Sequence, residues 1–241
     1  TGREPIEVSI ILLTYFHESY IVQALDSILT QETNVCYEVL VGDDASQDRT
    51  PDILQEYAVR FPDVIKPVLR HENVGGSRNF YDLVRRAKGN YIAILEGDDY
   101  WADPRKLQKQ WKFLREHGEY IGCCGKCQVV DEQGLPNPTK KLQFVDNKQI
   151  YTLDDYFERW NLPGQAGTLM FRNIFQDMPP SECSILYKAH RNVADKTWTL
   201  LLLCEGPIYC SDEVLSCYRF VNQEGAHNWF SMHYANPYRD Y

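Results

Sequence analysis

The chain has 241 residues, 44% of them apolar and 24% charged, with 25 Lys plus Arg against 34 Asp plus Glu for a net charge of −9. That length can bury a sizeable core, and that composition excludes disordered, fibrous and low-complexity classes. The acidic balance, with no concentrated run of Lys and Arg, argues against a nucleic-acid partner, and without an apolar run of about 18 residues or a charged-then-apolar leader neither a transmembrane span nor an export signal is expected.

Residues 8–13 form a nearly continuous apolar run of strand length, after which Ile21, Leu25, Ile28 and Leu29 fall on one face of a helix. Residues 37–41 read as a second strand. Thr50 and Pro51 make an N-cap and first-turn pair ahead of a helix carrying Ile53, Leu54, Tyr57 and Ala58. Residues 64–69 are a third strand, placed at the sheet edge because Pro67 cannot donate a ladder hydrogen bond. Phe80, Leu83, Val84 and Ala87 give a third helix face, closed by Gly89 at C′, and residues 91–95 a fourth strand. This alternation predicts an α/β fold, a Rossmann-like mostly parallel central sheet flanked by helices, in which the loops after Leu13, Val41 and Leu95 converge on one site.

Asp103 and Pro104 cap a helix with Leu107, Trp111 and Leu114 that runs to Gly118. The pattern then changes. Residues 120–130 read as a long strand ending in a turn at 131–134, and a polar connection covers 135–148. A helix at about 152–160, a strand at 166–171, a helix at about 194–204 and strands at 208–210 and 214–220 follow. With no repeat and no Gly/Ser-rich linker, 1–241 reads as a single domain with two functional halves, about 6–118 and about 119–241, the second a smaller acceptor-side region. The eight cysteines lack the spacing of a disulfide scaffold, so they read as reduced thiols of a cytoplasmic protein, and Cys124-x-x-Cys127 lies in a strand without a second pair to complete a zinc site.

Three loops carry chemistry. Glu96-Gly97-Asp98-Asp99 places three carboxylates at the end of the fourth strand, where their mutual repulsion calls for a hard divalent cation, Mn²⁺ or Mg²⁺; the plainer alternative is a solvated acidic turn. Residues 42–50 join a strand end to a helix, and a carboxylate there is suited to accept the imide N–H of a pyrimidine or the hydroxyls of a ribose, although Asp and Ser also serve turns. Asn73, Gly75, Gly76 and Arg78 set glycines and a cation at a helix start, a place for phosphate or ribose oxygens.

Taken in order, residues 8–15, 39–48, Asn73-x-Gly75 with Arg78-Asn79, and 89–101 resemble family 2 glycosyltransferases of the GT-A fold, of the bacterial polysaccharide or glycoconjugate type. The resemblance implies inverting transfer of a sugar from a nucleotide-diphosphate donor, UDP by default, with a metal held by a D-x-D motif whose first Asp is Glu96 here. The metal then falls chiefly to Asp99, with Asp98 and Glu96 as the other candidate ligands and Asp98 also near the donor's ribose or sugar. By the same resemblance Thr14, Tyr15, Glu18, Asp43, Asp44, Asn73, Gly75 and Arg78 line the donor site, Tyr15 stacking on the base and Asp44 accepting from its imide. Arg219, of the Tyr218-Arg219 pair, reaches toward the diphosphate. Where many members carry a further His, Val221 stands here, and His227 comes later.

The general base implied by the resemblance is Asp195, whose residue type and position also suit a helix N-cap; Asp154 and Asp155 are lesser candidates that read as first-turn helix charges. Gln165, Gly167 and Thr168 are placed in the acceptor half by resemblance alone. The acceptor would be a hydroxyl of a glycan, lipid-linked or glycoprotein substrate. The aromatic tail, with Trp229, Phe230, Tyr234, Tyr238 and Tyr241, is expected to cover the acceptor cleft, a second copy of the chain or a membrane surface, so that the cytoplasmic enzyme works free or at the inner face of the membrane. Rival readings are a nucleotidyltransferase, disfavoured because the loop at 14–19 has neither Gly nor Lys, a glycoside hydrolase, which has no use for nucleotide-binding loops, and a non-catalytic nucleotide-sugar-binding subunit.

Overall fold

A computed structural model describes residues 5–142, 145–146, 148–191 and 193–221. In chain order its elements are β1 (Val8–Thr14), α1 (Ile21–Leu29), β2 (Tyr37–Asp43), α2 (Thr50–Arg60), β3 (Ile65–Leu69), α3 (Gly76–Val84), β4 (Tyr91–Glu96), β5 (Tyr100–Trp101), α4 (Lys106–Glu116) and β6 (Gly122–Val130). There follow β7 (Ile150–Tyr151), α5 (Leu153–Arg159), a 3₁₀ turn (Ala166–Thr168), β8 (Met170–Arg172), the one-turn helices α6 (Pro180–Cys183) and α7 (Ile185–Lys188), α8 (Asp195–Glu205) and β9 (Ile208–Arg219).

All nine strands join one sheet in the order β3-β2-β1-β4-β8-β6-β9-β5, with β7 on β9. The first four are parallel and β3 sits at the edge, as Pro67 predicts. Beyond β4 the sheet is mixed: β8 runs antiparallel to both β4 and β6, and β6 then pairs parallel with β9 through two register shifts. Those shifts mark a bulge that lets residues 208–219 run as one bent strand, where the sequence suggests two.

Both faces of the sheet are covered, which is why β1 and β4 read as nearly unbroken apolar runs. Val8, Ile10 and Leu12 pack with Ile21, Leu25 and Ile28 of α1 and with Leu54 and Leu107 of α2 and α4. Ile11 points the other way, into a layer with Phe80 and Leu83 of α3 and Trp198 and Leu202 of α8. Trp198 stacks on Phe171 at 6.0 Å and lies 6.2 Å from Phe80, so β8 and α3 together seat the first turn of α8.

Three local expectations are corrected. Gly89 does not close α3, which ends at Val84; a Cβ at Gly89 would lie 2.4 Å from the Ser9 nitrogen, so this glycine permits a close approach to β1. Thr50 and Asp103 are not N-caps. Thr50 is already helical and its hydroxyl accepts from the His17 N–H, while Asp103 forms a short turn to the Arg105 N–H ahead of α4. Residues 166–168 are a 3₁₀ turn, stapled by Gln165, and the strand is only Met170–Arg172.

Candidate active site

The carboxyl ends of β1, β2 and β4 carry the three predicted loops, and their backbones are strained in a way ordinary turns are not. Phe16 and Ala45, which follow β1 and β2, both have positive φ, 57° and 66°. Hydrogen bonds to side chains hold them there. The Phe16 N–H donates to Ser46 Oγ at 2.8 Å, and Ser46 in turn donates its N–H and hydroxyl to the two oxygens of buried Asp43. Asp43 therefore shapes the loop, and burial raises its pKa against the lowering effect of those bonds from Ser46.

Asp44 is 4% exposed and aims both oxygens at the third loop, accepting from the N–H groups of Val74 and Gly75 at 2.8 and 2.9 Å. Each oxygen keeps a second lone pair. Gly75 has φ 89°, and a Cβ there would meet Arg191, which donates to the Asn73 carbonyl and side-chain oxygen. Tyr15 is half-buried with its ring edge-on to Phe16 at 4.6 Å. Thr14 is buried, and its hydroxyl has no partner among the described residues. Glu18, which is exposed, accepts from the Arg49 N–H and so links the first two loops.

At the end of β4, ligand oxygens of Glu96, Asp98 and Asp99 lie within 4.8 Å of one another. Asp99 is 1% exposed, and its two oxygens accept from the Arg219 main-chain N–H at 2.8 Å and from Gln165 Nε2 at 3.0 Å. Burial, then the neighbouring Asp98 and Glu96, pushes its pKa well above the ordinary carboxylate range. Glu96 is pushed up to about 8 by burial, then by Asp98 and Asp195. Three hard oxygen donors that repel one another in a poorly solvated place suit Mg²⁺ or Mn²⁺, which take few carboxylates and leave room for phosphate. Gly97 makes the motif compact: a Cβ there would come within 2.7 Å of His17 Nδ1 and 2.9 Å of the Thr14 hydroxyl.

Asp195 opens α8, and its charge contributes to the raised pKa of Glu96. It does not cap the helix. The N-cap is Ala194, without a side-chain cap bond, and Asp195 accepts from the adjacent Lys196 N–H. Its pKa is raised by burial, opposed by hydrogen bonding and charge from Lys196. Asp155, by contrast, completes a capping box with Thr152 and pairs with Lys148; those hydrogen bonds hold its pKa at about 2 against burial.

Two predicted donor ligands are occupied elsewhere. Arg78 pairs with Asp82 at 3.0 Å and lies over the Tyr187 ring. Arg219 is 3% exposed, its guanidinium donating to the carbonyls of Asp98, Asp131 and Glu132 and to Gln23 Oε1. Sequence reasoning missed Gln165 as the residue that orients Asp99, and missed Arg70 and Arg191 beside the Asp44 loop. Arg70 ion-pairs with Asp82 at 3.0 Å and stands 4.0 Å from Asp44. Only the arginine directly after a strand end was a visible signal. Val221 is buried at the end of β9, while His227 and the aromatic tail lie outside the described residues.

The fold is the GT-A fold, and residues 9–178 match the model of glycosyl transferase family 2. The chain belongs to that family. It is 46% identical over 127 residues to an uncharacterized Mycobacterium tuberculosis protein, covering 53% of this chain and 37% of that one, so it spans little more than a third of that relative. With the putative teichuronic acid biosynthesis glycosyltransferase TuaG of Bacillus subtilis it shares 28% identity over 236 residues, 95% of this chain and 84% of TuaG. Among solved structures, S. aureus TarS in complex with UDP superposes with a TM-score of 0.69 at 22% identity, over 89% of this chain and 60% of TarS. The mannosyltransferase PcManGT from Pyrobaculum calidifontis, in complex with GDP-Man and Mn²⁺, gives 0.59 at 17% identity, over 93% and 59%. No helix among the described residues is long and apolar enough to cross a membrane.

Proposed function

We propose that the protein transfers a sugar, with inversion, from a UDP-sugar to a hydroxyl of a glycan, lipid-linked or protein-linked acceptor. The observation that carries this reading is the pairing of a three-carboxylate cluster at the end of β4 with a half-buried, non-capping aspartate at the start of α8 whose charge is felt by Glu96. One group of residues can hold a cation and the other can take a proton. TarS, a fold neighbour, is described in complex with UDP and with UDP-GlcNAc, which supports UDP as the nucleotide.

In this mechanism the donor base lies against Tyr15, with its imide N–H donated to Asp44, and Thr14, Asn73 and Gly75 line the donor's path toward the cluster. Asp98 orients the ribose or sugar. Asp99, with Asp98 and Glu96, would hold Mn²⁺ or Mg²⁺, which supplies positive charge to the departing diphosphate when bound. Asp195 takes the proton from the acceptor hydroxyl as that oxygen attacks the anomeric carbon; a partly desolvated carboxylate with a raised pKa is a stronger base than a fully solvated one. Gln165 and Arg219 keep Asp99 in place through its two accepted hydrogen bonds. The reading places the enzyme in the cytoplasm, free or at the inner face of the membrane.

The test is a panel of nucleotide-sugars scored for Mn²⁺-dependent donor hydrolysis, with calorimetry of UDP and GDP on wild type and Asp44→Ala. Losing a hydrogen bond to a charged group should weaken UDP by about 1 to 3 kcal/mol and leave GDP nearly unchanged. Equal losses for both nucleotides would assign Asp44 to loop structure alone.

A further inference from the structure

The end of α5 holds an arrangement that the donor site does not use. Trp160 is 62% exposed, and Phe157, one helical turn before it, is 53% exposed. Both are large apolar rings turned to solvent. Trp160 also sits in the left-handed region at φ 53°, a conformation that costs a side chain with a Cβ about 1 kcal/mol or more and that persists only when its surroundings impose it.

Those surroundings are well defined. The Trp160 N–H donates to the Tyr156 carbonyl, and its own carbonyl accepts from Lys196 Nζ. Immediately after it, the Asn161 carbonyl accepts from the Tyr151 hydroxyl at 2.6 Å, and the Leu162 carbonyl accepts from the Asp146 N–H at 2.7 Å. The backbone is fastened at three consecutive residues while the ring is left outside. A residue recruited for packing would show the reverse, a buried ring on a relaxed backbone.

The fastening leads to the base. Lys196, which holds the Trp160 carbonyl, is the neighbour of Asp195, and the Tyr156 hydroxyl donates to the Lys196 carbonyl at 3.2 Å. The Tyr156 ring centre is 5.9 Å from that of Trp160, and the charge of Asp195 reaches Tyr156 strongly enough to help raise its pKa, after burial. Trp160 and Asp195 thus share two intermediaries, Lys196 and Tyr156.

We propose that Trp160, with Phe157 beside it, is the platform on which a pyranose unit of a saccharide acceptor stacks next to Asp195. One face of a pyranose presents a row of C–H bonds that packs on an aromatic ring while the hydroxyls at its rim stay in water or reach a base, the mixed character for which an exposed, rigidly held Trp is suited. The inference rests on the reading of Asp195 as the base and narrows the acceptor class to a saccharide.

Saturation-transfer NMR with β-linked gluco-, galacto- and manno-trisaccharides and with the N-acetylglucosamine trisaccharide tests it, using the full chain with UDP and diamagnetic Mg²⁺. Wild type should give ring-proton signals with at least one probe, Asp195→Asn should keep them, and Trp160→Ala should lose them by tenfold or more. Trp160→Gly is the second variant: glycine relieves the positive φ, so its melting temperature should equal or exceed that of Trp160→Ala while the saccharide signals stay lost. Signals in both variants equal to wild type, or none with any probe in wild type, would overturn the platform. A lowered melting temperature or changed solution mass with unchanged signals would assign the ring to packing within the chain or between copies. Calorimetric UDP binding on the same samples separates the two failures: if UDP binds, only the platform falls, and if it does not, the donor reading falls with it.

Discussion

The main-chain N–H of Arg219 donates to Asp99 Oδ1 at 2.8 Å, and the same residue's Nε donates to the carbonyl of Asp98 at 2.9 Å. The last residue of β9 therefore fixes the carboxylate-bearing turn after β4 through both backbone and side chain. It also ties that turn to the carbonyls of Asp131 and Glu132 and to Gln23.

A clamp and a diphosphate ligand respond differently to Arg219→Lys. Lysine keeps the charge but cannot fork to several acceptors at once, so buried carbonyls lose their donors at about 1 to 3 kcal/mol each. Urea denaturation should show a stability loss of at least about 2 kcal/mol, with UDP affinity falling alongside. A variant as stable as wild type that binds UDP weakly would restore the diphosphate role.

For Asp195→Asn the expected outcome is a fall in acceptor-dependent turnover of roughly 10²- to 10⁴-fold with UDP affinity and melting temperature near wild type. The hydrogen bond that Asp195 accepts from the Lys196 N–H is available to an amide oxygen as well. Turnover within about threefold of wild type would remove Asp195 from the mechanism.

Glu96→Gln and Asp99→Asn both subtract a carboxylate from the cluster but differ in structural cost. Asp99 accepts two hydrogen bonds, and an amide would set its NH₂ against one of those donors. Both variants should weaken Mn²⁺-dependent UDP binding by tenfold or more, about 1.4 kcal/mol, and only Asp99→Asn should also lower the melting temperature. Mn²⁺-independent UDP binding of unchanged strength in both would show that the cluster is not a metal site.

Lys106 gives a prediction about pH. Its side chain is 0% exposed, its Nζ lies 4.2 Å from the Trp101 ring centre without a hydrogen-bond partner among the described residues, and burial lowers its pKa from 10.5 to about 7. Between those values the unfolded chain holds a proton that the folded chain lacks, so this residue's penalty shrinks as pH rises and is largest and constant below about 7. Lys106→Met should be more stable than wild type at pH 7, and the gap should close toward pH 10 by up to about 1.4 kcal/mol per pH unit. A gap independent of pH in paired urea titrations would show that the amine is charged in the fold.

The parallel strands β1 to β4 and the helices between them were legible because each buries a face whose apolar period is local. What the period does not encode is pairing between distant segments. Residues 170–172 read as a strand, but nothing in them says that they insert antiparallel between β4 and β6. The carboxylates of the site were visible as motifs for the same local reason. Their contacts were not: Gln165 reaches Asp99 across 66 residues and Arg219 across 120, and the Tyr218-Arg219 pair pointed to a diphosphate rather than to Asp99. The arginine that the motif offered, Arg78, is turned outward by Asp82 four residues later, an attraction between helix neighbours that a glycine-loop reading does not weigh.

The insertion of β8 beside β4 also limits how the chain can be divided or recombined. A fragment ending at Gly118 would retain β1 to β4 and much of the donor pocket, yet it would leave the backbone of Tyr91, Ile92 and Ala93 without the partners that Met170, Phe171 and Arg172 provide. An apolar strand with an open flank pairs with whatever backbone it meets, including another copy of itself. The parallel portion is therefore no portable cassette: grafted or expressed alone, it would have to bring a substitute for Met170, Phe171 and Arg172 before it could remain monomeric.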